Sequence, residues 1–373
     1  MKIPDLKKTL LVAILALPAI FPALSGSGYD PPEIRVKVGT LQGKKEIKAE
    51  GLSLKRPGKT GKEMKAVISW DGKKFTINGK KYRLPITFSA AGPIYIEGAG
   101  YRGKIALTDD SPPRIVNAID VESYVAGVLN NEINARWPEN AVDAQAILAR
   151  TYALKKAGSN KDRNYDLDST TTDQVYGGLS SEDGPSRAAV KRTRGQVLYF
   201  GKDLADGLYH SCCGGKTEKP SEIWGGEDKP YQKSVPCSYC QDAPRYFWRY
   251  PGQGAVDGKE LARALSLPGS VGDLEIIGRG LSGRVTRIKI SYRGDSRTIK
   301  GTTFRDMMGH RNVFSTNFQV DREEDGWVIR GSGSGHGAGM CQWGARGMAE
   351  TGFSVEAILR YYFPGTTVSS YRD

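Results

Sequence analysis

Several features common in proteins of this size are missing from the 373-residue chain. It has no internal repeat and no low-complexity tract, which excludes a solenoid, a propeller or a fibrous array. No HExxH-like helix is present, so the two-histidine arrangement of many zinc hydrolases is absent. No Gly-rich run leads into a Lys-Ser/Thr pair, and a phosphate loop of that kind is excluded too. Cysteine is scarce, and its five residues are an odd number that cannot all pair. Acidic residues are outnumbered, 41 against 54 Lys and Arg, for a formal charge of +13.

That basic balance favours an acidic or polyanionic neighbourhood, either nucleic acid or an anionic envelope. The N-terminus separates the two. "MKIPDLKKTLLVAILALPAIFPALSGSG" has a basic start (Lys7, Lys8) and an apolar run over Leu10–Leu24. Small residues follow at Ala23 and Ser25, the order of a secretory signal peptide, expected over residues 1–25. An uncleaved anchor is the rival, but two prolines break the run and it is short for a span. Removing residues 1–25 takes away three Lys and one Asp and leaves +11. The expectation is therefore export to a periplasm or cell wall, with no nucleic-acid partner.

After a Gly/Pro-rich linker, residues 26–100 alternate apolar and polar positions between Gly-rich turns. "WDGKKFTINGKKYRL" has the clearest hairpin grammar. Helices follow. "DVESYVAGVLNNEI" has Asp120 as N-cap and an apolar stripe of Val121, Val125 and Val128. "WPENAVDAQAILARTYALKKAG" starts with Pro138 in its first turn and is rich in Ala, so its neighbours can approach closely. Short strands return after Asp166, with short helices at "DGKELARALSL", "GTTFRDMMG" and "SVEAILRYYFP". Strands before and after a helical pair predict a mixed α+β fold, with a cleft between two lobes.

Four clusters could carry chemistry. The stripe of the first helix continues onto Glu132, a carboxylate on what should be the buried face. Half-buried there, it would have the raised pKa of a general acid; the bland alternative is a salt bridge to Arg136 or Arg150. Arg150 itself either caps a structural carboxylate or reaches into a site. "STTTDQVYGG" offers hydroxyls and amides to a hydroxyl-rich ligand, with Tyr176 able to stack on a sugar, or is an ordinary polar loop. "YHSCCGGKTE" and "VPCSYC" hold His210-x2-Cys213 and Cys237-x2-Cys240, spacings that suit a tetrahedral zinc site. In an exported protein a disulfide competes, and Cys212 could replace Cys213 in either scheme. Last, "GSGSGHGAGMCQWGARGM" surrounds His336 with glycines, a density that lets backbone approach a ligand or a strand closely. Cys341 lies nearby, but no third residue is evident to orient a Cys/His nucleophile.

In this order the clusters resemble the SpoIID/LytB family, stage II sporulation protein D and its relatives. The likeness runs from about Tyr101 to Gly365. It is strongest in "NAIDVESYVAGVLNNEINARWPENAVDAQAILARTYAL", "YHSCCGGKTE" and "GHGAGMCQWGARGMAETGFSVEAILRYYFPGT". A catalytic domain over residues 101–366 is the corresponding expectation.

The resemblance implies a peptidoglycan lytic transglycosylase acting on glycan strands that lack stem peptides, with Glu132 as catalytic acid. It further implies that Arg150, Gln174, Tyr176, His336 and Gln342 orient substrate or line the cleft. It also favours zinc over a disulfide, held by His210, Cys213, Cys237 and Cys240 as an architectural site. An amidase that strips stem peptides is the partner it suggests, and a non-catalytic, wall-binding modifier of an amidase is the alternative function. Two departures from the family pattern are Ile133 for Met after the glutamate and Cys341 for Ser before Gln-Trp-Gly.

Overall fold

A computed structural model describes residues 29–56 and 59–372, so the expected signal peptide lies outside the described residues. From Pro31 onward the chain forms one unit. Its fold is mixed α+β, as the alternation of strand-like and helix-like segments predicts. Among the described residues the helices are α1 (Val121–Glu132), α2 (Glu139–Ser159), α3 (Gly184–Arg192), α4 (Pro220–Trp224), α5 (Gly258–Ala264), α6 (Gly301–Met308), α7 (Gln342–Glu350) and α8 (Val355–Tyr362).

The N-terminal half is one 11-stranded sheet. Alternation in "EIRVKVGT" buries Ile34 and Val36 on one face, as period-2 patterning requires. Strand Glu33–Thr40 pairs antiparallel with Arg114–Asp120 and parallel with Leu167–Asp168. The sheet thus draws strands from both sides of residue 100, which itself lies within strand Ala99–Tyr101.

Strand Arg114–Asp120 runs straight into α1, and the Asp120 carboxylate accepts from Ser123 N at 2.9 Å as the expected N-cap. Val121, Tyr124, Val125, Val128 and Leu129 are buried, so the sequence stripe is the packed face. Helix α2 is buried almost all round from Ala141 to Leu154 and is the central element. One side shares a core with α1 (Val125, Ala146, Ala149) and the other packs with α7 and α8 (Ala144, Leu148, Ala345, Ile358). Its alanines are what let four helices approach it.

A further layer begins near Trp248. Two three-stranded sheets, Phe247–Tyr250 with Phe318–Glu323 and Gly326–Ser332, and Val271–Arg279 with Val285–Tyr292 and Asp295–Lys300, enclose their own core with α5 and α6. That core includes Trp248, Leu261, Ile288, Phe304 and Trp327. The chain leaves for this module after strand Tyr209–His210 and returns at Met340–Cys341, which pairs parallel with it. Two segments distant in sequence are thereby fixed side by side, and both carry cysteines.

Candidate functional site

Glu132 is the last residue of α1, and extended backbone at Ile133 ends the helix there. Its half-buried side chain stands in a cleft of about 640 Å³ lined by residues 130–134, Arg136, Trp137, the turn Ser180–Asp183, Ser211, Gln342 and Trp343. Val175 N donates to Glu132 Oε1 at 2.7 Å, and Glu132 forms no ion pair with a described residue. Burial raises the pKa of its carboxyl and the Val175 amide opposes this in part. The salt-bridge alternative for Glu132 is therefore not what the structure contains. Arg136 reaches Asp183 instead, at 3.2 Å.

Two more carboxylates line the cleft, and both are engaged. Glu182 takes a two-point contact from Arg102, at 2.9 Å each. Asp183 caps α3 in a reciprocal box with Ser186, whose backbone N–H holds the Asp183 pKa below its ordinary value. One wall is aromatic. Trp137 and Trp343 meet edge to face, centroids 4.8 Å apart, and the Arg346 guanidinium lies 5.3 and 4.8 Å from their rings. Polar groups on one side and two indoles on the other suit a sugar chain, whose rings carry hydroxyl edges and apolar faces.

Gln174 and Tyr176, expected to line the cleft, are buried behind it. Gln174 accepts from the Tyr124 hydroxyl at 3.1 Å and donates to the Tyr209 hydroxyl at 2.9 Å. The Tyr176 hydroxyl donates to Asn117 Oδ1 at 2.8 Å, and its ring lies against Gly127, where a Cβ would come within 2.6 Å. They flank Val175, so their anchoring aims the Val175 N–H at Glu132. Asn131 holds the same loop with bonds to Val175 O and Ser181 Oγ at 3.1 and 2.8 Å.

Arg150 is fully buried and does not reach the cleft. Its Nε and Nη2 grip Glu122 at 3.0 and 2.7 Å, and Nη1 donates to Gln196 O at 2.9 Å. It caps a structural carboxylate, the other of the two roles open to it. Gln342 does line the cleft, donating to Gln145 Oε1 at 3.2 Å. His336 does not. It stacks near Trp224 and His210, centroids 5.0 and 5.6 Å away, with its pKa pushed down to about 4 by burial and by Arg284.

The cysteine cluster differs from the predicted ligand set in one member. Cys213, Cys237, Cys240 and Cys341 bring their Sγ atoms within 4.8 Å of one another, all buried, and could hold a metal. His210 is not among them. Its Nδ1 is engaged by Ala338 O at 3.0 Å. Cys341 takes its place because strand Met340–Cys341 lies beside Tyr209–His210, a long-range pairing that local spacing cannot reveal. All five thiols are free, so the disulfide alternative is not realised. The donor set fits a soft thiophilic cation. Cys341 Sγ accepts from Cys213 N and Gly344 N at 3.2 and 3.3 Å, and the Tyr362 hydroxyl lies 3.2 Å from Cys237 Sγ, contacts that favour thiolate. Four cysteine ligands would close the coordination sphere and make the site structural.

Sequence reasoning missed Trp137, Trp343, Ser211 and the Ser180–Asp183 turn as cleft lining. The two tryptophans sat inside motifs already singled out and could have been found there.

Comparison with known proteins agrees with this arrangement. Residues 110–200, which carry α1, α2 and the Val175 loop, match the family model "Stage II sporulation protein". Residues 243–339, the separate module, match a domain of unknown function. An uncharacterized protein of Brachyspira hyodysenteriae is 35% identical over 298 residues, covering 78% of each chain. The stage II sporulation protein D of Bacillus subtilis is 30% identical, over 68% of this chain and 76% of its own. The amidase enhancer of Bacillus subtilis is 30% identical over 77% of this chain, which spans only 46% of that relative. The chain belongs to the SpoIID/LytB family of stage II sporulation protein D, and its role is in the cell wall.

Proposed function

We propose that this protein is a lytic transglycosylase that cleaves peptidoglycan glycan strands after N-acetylmuramic acid. The observation that carries the reading is Glu132, a carboxyl whose pKa burial raises, at the end of a helix and facing a sugar-sized cleft with an aromatic wall. Protonated Glu132 gives its proton to the glycosidic oxygen, and an oxocarbenium-like state develops as that bond breaks. The same carboxylate then takes the proton of the sugar's own C6 hydroxyl, whose oxygen bonds to the anomeric carbon and closes a 1,6-anhydro ring. No water is added, so a second free carboxylate is not required. The engagement of Glu182 and Asp183 by Arg102 and by the α3 cap is consistent with this economy.

The preferred substrate is a strand without stem peptides, and the apolar N-terminal segment serves export to the compartment where that substrate lies. The thiols of Cys213, Cys237, Cys240 and Cys341 hold zinc as a structural ion that ties the two returning strands together. Metal analysis of protein purified without chelator should give one zinc per chain; none in correctly folded protein rejects this part. The 30% identity to an amidase enhancer favours a second reading, a wall-binding protein that stimulates an amidase without cleaving glycan. E132Q separates the two. Strands bound but no longer cut by the variant support the enzyme, whereas a wild-type protein that binds strands and never cuts them supports the modifier.

A further inference from the structure

We infer that Arg284 is the charge-balancing residue of a tetrathiolate metal centre, an inference that rests on the reading of Cys213, Cys237, Cys240 and Cys341 as zinc ligands. Four thiolates around a divalent cation leave two net negative charges. The cluster is buried, so water cannot offset them, and a buried net charge is retained only where an opposite charge or hydrogen bonds meet it. Backbone N–H bonds to Cys341 Sγ offset part of that charge. A cation is needed for the rest.

Arg284 is placed to supply it. Its side chain is 2% exposed, yet among the described residues only Nη2 has a hydrogen-bond partner, Cys213 O at 2.8 Å, and Nε and Nη1 have none. A guanidinium so poorly satisfied would be expensive to bury without nearby negative charge. The thiols of Cys213, Cys212 and Cys341 are close enough to act on its charge, as is the Glu218 carboxylate. Glu218 is the rival counter-ion, also buried. Its oxygens are taken by Ser282 N, Ser282 Oγ and Lys219 N, at 3.0, 2.7 and 3.0 Å, and it forms no ion pair with Arg284.

The glycine motif makes room for this arrangement. At Gly337 (φ +95°) a Cβ would lie 2.2 Å from Arg284 Nε and 2.5 Å from its Cζ, so the guanidinium packs directly on glycine backbone. Arg284 comes from the turn ahead of strand Val285–Tyr292 in the separate module. The module would therefore contribute charge, and not a ligand, to a site built by the segments that flank it.

The test uses the full chain, comparing wild type with R284M and R284K for zinc affinity by chelator competition and for the thiolate-to-metal band of the cobalt-substituted protein. The expected result is a loss of about 10- to 100-fold in zinc affinity for R284M, with much of it restored in R284K. The cobalt band should remain that of four sulfur ligands in all three. Unchanged affinity in R284M, or R284K as weak as R284M, overturns the role of Arg284 while leaving the zinc reading intact. Wild-type protein with no bound zinc and no thiolate band overturns that reading and this inference with it. If R284M does not fold, R284K and R284Q, which differ in charge, decide the matter by the same measurement.

Discussion

Replacing Arg150 by methionine should destabilise the protein severely while leaving glycan affinity unchanged. Arg150 is 0% exposed and Glu122 5%, so neither charge is solvated. The guanidinium makes two bonds to Glu122 and one to Gln196 O, and Glu122 Oε1 also accepts from Gly195 N at 3.0 Å. Met fills similar volume but leaves the buried carboxylate without its guanidinium, a loss of about 3–5 kcal/mol. Against a total stability of about 5–15 kcal/mol that is a large share. E122Q should cost a comparable amount. E122Q/R150M should fall short of the sum of the single losses by about 3 kcal/mol, because the second substitution removes a charge that the first has already stranded. Denaturant unfolding gives the stabilities, and strand-binding titrations on the folded fraction give the affinities. If R150M stays within about 1 kcal/mol of wild type and glycan affinity falls instead, Arg150 touches substrate and the assignment here is wrong.

Four further outcomes follow from the site. Activity should be lost as pH rises through the raised pKa of Glu132, because the acid must carry its proton; a pH–rate profile without a basic limb would contradict this. The same shift makes the folded state hold that proton longer than the unfolded chain, whose carboxyl titrates near 4.5, so E132Q should gain stability over wild type as pH climbs above 4.5, measured by denaturant midpoints across the range. W137A and W343A should each weaken strand binding by up to about tenfold without lowering stability comparably, since the paired rings face the cleft. Y176F should cost about 1–2 kcal/mol by stranding Asn117 Oδ1 and leave strand affinity intact; a rise in the dissociation constant would return Tyr176 to the substrate.

What could be read in the sequence was mostly local. The Asp120 cap follows from its residue type and the Val121–Val128 stripe from 3.6-residue periodicity, and the structure has both; Glu132, next along the stripe, is half-buried in the cleft. Helix α7 is hidden in its pattern by Gly344 and Gly347; both are required by contact, with a Cβ at Gly347 only 2.2 Å from Tyr239 O. Gln174 and Tyr176 illustrate a second limit. An amide and a phenol look alike in sequence whether they bind a sugar or pin a loop, and only burial tells them apart. The metal cluster illustrates a third. Cys213 and Cys240 announce themselves by spacing, but Cys341 is 128 residues from Cys213 and joins it through a strand pairing that the separate module hides. Glu182 and Asp183 enter the cleft in the same way, carried in by a turn whose position depends on Asn130 and Asn131.

The most direct test of the central claim is mass spectrometry of the fragments released from peptide-free glycan strands by the wild-type protein, with E132Q alongside. The account predicts fragments ending in 1,6-anhydro-muramic acid, reduced at least about 100-fold in the variant. Fragments with ordinary reducing ends would contradict it, since they require water to be activated by a second group, and Glu182 or Asp183 would then have to leave its present partner to do so.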